Sequence, residues 1–177
     1  MNDLAFYNAG GHGAKGIRHL PVLVRRLVRR LLRPIFLRQV EIFQEEGVDL
    51  ARVQIAHCGD TDDVDYIERL IDKGVYVGLD RYGLEMYLPV DKRNATAAEL
   101  LRRGHSERLM VSQDYCATID WFPPEAEAVF ESQGAIRNWS MTLVFDEVVP
   151  ALRELGAMDD ESFNTVFVEN PRRWLTA

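Results

Sequence analysis

The chain has 177 residues, 47% of them hydrophobic, which is enough apolar material for a sizeable core in a domain of ordinary size. Its net charge of -7 is unevenly spread: positions 1–40 hold eight basic residues against Asp3 alone, or +7, leaving thirteen basic against twenty-seven acidic, or -14, for the rest. That acidic body repels phosphate backbones and argues against nucleic acid as a main partner, no run of about eighteen uninterrupted apolar residues suits a membrane span, and Cys58 and Cys116 alone make no disulfide framework. With no secretory pattern at the start and two thiols expected to stay reduced, a cytoplasmic protein is the expectation.

Residues 1–36 stand apart from the rest. Gly10, Gly11, Gly13 and Gly16 lead into a cationic, apolar helix pattern over Leu23–Arg33, with arginines at 25, 26, 29, 30 and 33. The glycines make no phosphate loop, since no strand pattern precedes them and no GK[ST] follows. A membrane-surface helix, a nucleic-acid or partner-binding arm, an ordinary solvated helix, and a stretch read from a misassigned start or a shifted frame are the competing readings.

From residue 37 onward the pattern alternates between helix and strand, the mark of a parallel α/β fold. A helix is expected over Leu37–Glu46, stopped by Gly47, then a short buried strand over Val53–Ala56. Asp60, Thr61 and Asp62 offer N-cap chemistry for a helix over Asp63–Lys73, with Val64, Ile67, Leu70 and Ile71 on one face and Gly74 at its end. The β-branched and aromatic run Val75–Leu79 predicts a second strand that delivers Asp80, Arg81 and Tyr82 to a loop lasting to about Arg93. A helix over Thr96–Arg103, closed by Gly104, leads to a third strand over Leu109–Ser112. Tyr115–Trp139 reads as a long loop with some helix of its own. Helices over Met141–Leu155, burying Leu143, Val144, Val148, Leu152 and Leu155, and over Asp159–Phe167 finish the chain.

His57 and Asp114 hold equivalent addresses, each just past the C-terminal end of an expected strand, which is where α/β barrels build their sites. Either is at home in a bland role: a lone His more often packs or caps than ligates, and an Asp before a loop can cap a turn. Their shared address is what points to chemistry.

The successive strand-end runs His57-Cys58-Gly59-Asp60-Thr61-Asp62-Asp63, Gly78-Leu79-Asp80-Arg81-Tyr82-Gly83-Leu84 and Ser112-Gln113-Asp114-Tyr115-Cys116, with Thr118-Ile119-Asp120-Trp121 beyond and Asn170-Pro171-Arg172-Arg173-Trp174 at the close, resemble in order and spacing those of the phosphotriesterase-like lactonases of the amidohydrolase superfamily. The resemblance covers about Phe36–Ala177. It implies the C-terminal half of a (β/α)8 TIM barrel, strands 6 to 8 with their helices, here a truncated chain behind the basic N-terminal segment, with domains at 1–36 and 37–177. The implied activity is hydrolysis of lactones, esters or organophosphate triesters by a hydroxide bridging two divalent metals, usually zinc. The resemblance makes His57 a metal ligand and Asp114 both a metal ligand and a proton acceptor. Asp60 becomes the carboxylate that helps carry the proton outward. Arg81, Tyr82, Cys116 and Trp121 become substrate-binding residues, with Trp121 walling a channel for an acyl chain.

This sequence also departs from that pattern. The His-x-His pair, the carboxylated Lys and the further His that complete the family's metal centre have no counterpart, since His12, His19 and His105 form no pair and Lys15 lies among glycines. Catalytic zinc usually takes three protein ligands and a water, so this chain alone supplies too few. A non-catalytic half barrel that docks on another chain, or a homo-oligomer that covers its open strand edges, is therefore the rival expectation.

Overall fold

A computed structural model describes residues 35–117 and 125–176. The basic segment therefore lies, up to residue 34, outside the described residues, as does Trp121. Three parallel strands, β1 (Gln54–Ile55), β2 (Tyr76–Leu79) and β3 (Leu109–Val111), lie side by side in chain order. Ile55 stands opposite Val77, and Leu79 opposite Val111. All three strands thus end at one edge. Every residue of β2 is buried, as a central strand covered on both faces requires.

Helices alternate with the strands as the sequence implies. Helix α1 spans residues 35–45 and gives way to Gly47 at φ 74°. Helix α2 (Val64–Ile71) turns Tyr66, Ile67, Leu70 and Ile71 inward. Its cap is Asp63, whose carboxylate accepts the Tyr66 N–H, and not the expected Asp60–Asp62 group. Helix α3 (Val90–Arg102) begins well before the expected Thr96, directly after Pro89, because a proline at the N-cap position needs no amide hydrogen there. The earlier start changes which residues are buried: Val90, Arg93, Asn94, Ala97, Ala98 and Leu100 now form one inward stripe. Helix α4 (Ala126–Ser132) interrupts the long loop.

The C-terminal helices depart from expectation in one repeated way. A wide turn over Val144–Val148 precedes α5 (Val149–Glu154), and another over Thr165–Glu169 joins α6 (Asp160–Asn164) to α7 (Asn170–Thr176). In both places a proline, Pro150 or Pro171, stands two residues beyond the turn. Lacking an N–H, it cannot donate to the carbonyl four residues back, and the preceding backbone widens instead. Leu155, expected on the buried side, is 47% exposed. It occupies the C-cap just before Gly156, where the helix has already ended.

The core gathers Ile55, Val77, Leu79 and Leu109 from the strands against α2, α3 and the later helices, which contribute Leu143, Val144, Val148, Leu152 and Val166. The Asn170-to-Trp174 signature fastens α7 to the N-terminal ends of the strands. Fully buried Asn170 donates to the carbonyls of Ser106 (2.7 Å) and Leu109 (2.8 Å), and Trp174 Nε1 to that of Arg52 (2.9 Å). These residues serve the fold at the end of the sheet away from the candidate site. Among the described residues no helix is long and apolar enough to cross a membrane.

Candidate functional site

Each strand is followed, two or three residues past its end, by a non-glycine residue in the left-handed region: His57 (φ 63°), Arg81 (φ 62°) and Asp114 (φ 53°). Such a conformation is unfavourable by roughly 1–2 kcal/mol for an L-residue, so the packing must hold it in place three times over. Its effect is a sharp turn that brings three polar side chains from neighbouring strands to one place. His57 Nδ1 lies 4.0 Å from Asp114 Oδ2, and Arg81 Nε lies 3.5 Å from the same oxygen. Arg81 in turn places a terminal nitrogen 2.7 Å from Oδ2 of Asp60.

Behind His57 stands Asp80, 6% exposed. Its carboxylate accepts the backbone N–H of His57 at 2.9 Å and lies 3.1 Å from Nδ1 of the ring. Burial pushes the Asp80 carboxyl above its ordinary range, against the pull of those contacts with His57. With Nδ1 engaged by a carboxylate, Nε2 is left for an electrophile, the arrangement in which a metal-ligating histidine is held by its outer partner.

Arg81 is half-buried, and its guanidinium lies 4.5 Å from the centroid of the Tyr87 ring. Burial alone pulls its pKa down, yet the hydrogen bond and charge of Asp60 outweigh that and hold it above the usual arginine value. Asp114 is the most open member, with 41% of its side chain exposed. Its loop is buckled from the far side, where Trp139 Nε1 donates to the Gln113 carbonyl at 2.8 Å and the Tyr115 ring meets Trp139 edge-on at 5.2 Å. The same strap reaches the loop after β2, since Arg137 N–H donates to Gly83 O at 2.8 Å.

The structure thus brings His57, Asp60, Arg81 and Asp114 together. It does not bring Tyr82 with them: that residue is 1% exposed and belongs to the core, where burial drives its phenol pKa far up. It presents no surface to a bound molecule, a correction to its expected place in a substrate pocket. Cys116 is exposed, with its sulfur 3.9 Å from the Asp114 carbonyl. Cys58 is buried and donates to the Ile55 carbonyl, and burial pushes its thiol well above the ordinary range, so it offers no thiolate.

Three members escaped the sequence reading. Asp80 and Trp139 act through neighbours that only the fold supplies. Arg93 carried a signal: a helix begun after Pro89 puts it on the same face as Val90, Ala97 and Leu100.

A metal would find donors of the right kind here, a histidine with a free ring nitrogen and an exposed carboxylate, but not in the right number. Among the described residues no three His, Cys, Asp or Glu side chains converge as a metal site, and two donors are one short of what a catalytic zinc takes.

The profile of the Phosphotriesterase family matches residues 28–175. The chain belongs to this family. It is 46% identical over 140 residues to an aryldialkylphosphatase of Saccharolobus solfataricus, covering 79% of this chain and 43% of that protein. A phosphotriesterase homology protein of Mycobacterium tuberculosis is 42% identical over 135 residues, or 76% of this chain and 40% of its own length. The solved phosphotriesterase of Mycobacterium tuberculosis superposes with a TM-score of 0.72 at 41% identity, covering 79% of this chain and 41% of that one. A PTE-like lactonase of Deinococcus radiodurans does so at 0.69 and 28% identity, covering 77% and 42%. The chain therefore spans about two fifths of the length of the relatives it matches, as a family member with the α/β fold in part.

Proposed function

We propose that this chain carries one side of a divalent-metal hydrolase site for lactones, esters or organophosphate triesters. The observation that supports this most is the convergence, from the ends of three neighbouring parallel strands, of His57 and Arg81 on Asp114, whose Oδ2 lies 4.0 Å from His57 Nδ1 and 3.5 Å from Arg81 Nε. In this reading β1, β2 and β3 are the sixth, seventh and eighth strands of a barrel. His57 and Asp114 are two of the metal ligands, zinc or a related ion being the metal. A bound ion of this type lowers the pKa of its water and polarises the ester oxygen.

This chain's own residues do the rest. Asp114 accepts a proton at Oδ2. Arg81 stays protonated and holds Asp60 beside Asp114, so that Asp60, 24% exposed, takes that proton from Asp114 and releases it to solvent. Cys116 and Trp121 wall the substrate, with Trp121 against an acyl chain, while Tyr82 supports the loop from beneath. We place the protein in the cytoplasm, where the thiols of Cys58 and Cys116 stay reduced.

A domain exchange tests the reading. Residues 37–176 replace the matching part of the Saccharolobus solfataricus relative, so that the ligands absent here are supplied. The hybrid is expected to hydrolyse a lactone or an aryl dialkyl phosphate, and to lose turnover by about 100-fold or more with Asp114→Asn. A folded, metal-loaded hybrid that hydrolyses neither would sink the proposal.

A second reading is a non-catalytic half barrel that associates with another chain or with its own copy. Its support is the surface: β1 and β3 each have one edge with no neighbouring strand among the described residues, and Ile35, Ile42, Phe145 and Leu175 are exposed. Sedimentation of the chain as a monomer over a wide concentration range speaks against self-association.

A further inference from the structure

The cation that secures the candidate site from beneath is Arg93. Its side chain is 1% exposed, and each nitrogen of the guanidinium is engaged. Nε donates to Leu88 O at 2.9 Å, one terminal nitrogen to Gly59 O at 2.7 Å and Asp80 O at 2.8 Å, and the other to Asp60 Oδ1 at 2.7 Å. These acceptors come from the loops that follow β1 and β2 and from the entry to α3. A buried charge is tolerated only when it is paired and fully hydrogen-bonded, and here the pairing uses up one oxygen of Asp60 and leaves the other.

That remaining oxygen, Oδ2, is the one that holds Arg81. The carboxylate of Asp60 is thus clamped between two arginines of different character, one sealed in the interior and one at the opening. Gly59 makes the approach practicable: a Cβ there would stand 3.0 Å from the Arg93 terminal nitrogen and 3.0 Å from Asp80 O. A side chain at residue 59 requires the clamp to give by a few tenths of an ångström.

We propose that Arg93 is a positioning residue, which fixes the rotation of the Asp60 carboxylate and thereby holds Arg81 against Asp114. The inference rests on the hydrolase reading only in treating Arg81 and Asp114 as parts of a site. A residue that merely stapled the core would lower stability when replaced and leave Arg81 as it was.

The exchange rate with water of the Arg81 terminal guanidinium protons, which include the donor to Asp60, measured by NMR on the whole labelled chain and assigned by their disappearance in Arg81→Lys, separates the two. The backbone amide spectrum reports the fold in the same sample. Charge-assisted hydrogen bonds are about twice as strong as neutral ones, so Arg93→Met is expected to stay folded, melt lower and speed that exchange by about tenfold or more. Arg93→Lys keeps a charge facing Asp60 and is expected to fall between wild type and Arg93→Met. A folded Arg93→Met chain with the wild-type rate overturns the proposal. Loss of the fold in both variants overturns it too, because Arg93 would then be needed for folding itself. No metal, substrate or turnover enters this measurement, so failure of the hydrolase reading in the domain exchange is a separate result.

Discussion

His57 and Asp114 face each other across the top of the sheet, with Nδ1 of one 4.0 Å from Oδ2 of the other, although they belong to the two outer strands. The turn that follows β2 lies between them, and Arg81 at that turn reaches the same Asp114 oxygen. Three left-handed residues at three parallel strand ends are what allow side chains so distant in the chain to share one opening. The scaffold that keeps those turns in place can be tested residue by residue.

Gly83 is the tightest of these supports. It sits at φ 91°, and a Cβ would lie 2.9 Å from Leu143 Cδ2 and 3.0 Å from the Trp139 Cα. Gly83→Ala therefore combines backbone strain with a clash against the strap and is expected to lose about 2–4 kcal/mol of stability. Gly104, at φ 86° with nothing within 4 Å, has the strain without the clash, and Gly104→Ala is expected to lose about 1 kcal/mol. Urea midpoints of the two variants check the ranking, and equal losses would refute the clash.

Asn170 is expected to matter as much at the opposite end of the sheet. Asn170→Ala removes a fully buried donor from the buried Leu109 carbonyl and from the half-buried Ser106 carbonyl, at about 2–4 kcal/mol. The melting temperature should fall, while the spacing of His57 and Asp114 is kept, since the two regions sit at different ends of the strands. Crystals of the variant, or ring-proton shifts of His57, would report a change at the site if that separation is wrong.

The parallel order of the strands and the grouping of His57, Arg81 and Asp114 were legible because strand-end addresses follow from apolar runs and their punctuation. The start of α3 was not, because the polar run Asp91-Lys92-Arg93-Asn94 looks like a solvated loop until Pro89 is taken as a helix start. That single boundary hid Arg93. Tyr82 was misplaced for a related reason: it neighbours Arg81 in sequence, but the left-handed turn at Arg81 sends consecutive side chains in different directions. Leu155 fitted the helical period, yet the period says nothing of where Gly156 ends the helix.

The start of α6 gives a pH-dependent expectation. Asp159 is held below the ordinary aspartate range, first by the backbone N–H of Ser162 and then by its hydroxyl, in a reciprocal capping box. A carboxyl depressed in the folded state adds stability above its unfolded pKa and loses it as pH falls through the folded value. The difference in melting temperature between wild type and Asp159→Ala is thus expected to be constant near neutrality and to shrink as pH drops below about 3.9. A difference that grew on acidification would contradict the capping role.

The chain by itself is expected to be nearly inert toward the substrates of its proposed class. His57 is oriented by Asp80 and Asp114 is open to solvent, so one divalent ion should associate weakly with the pair. Two donors cannot hold an ion with an open position against water as three do, and the other ligands of a two-metal centre are absent from the described residues. Titration calorimetry with zinc or cobalt should therefore find at most one weak site per chain, removed by His57→Ala. Lactone and aryl phosphotriester turnover should stay at a trace even with metal present. Measuring two ions per chain, together with turnover that Asp114→Asn abolishes, would show that this chain or its own copy supplies the missing ligands, and the two-donor argument would then be wrong.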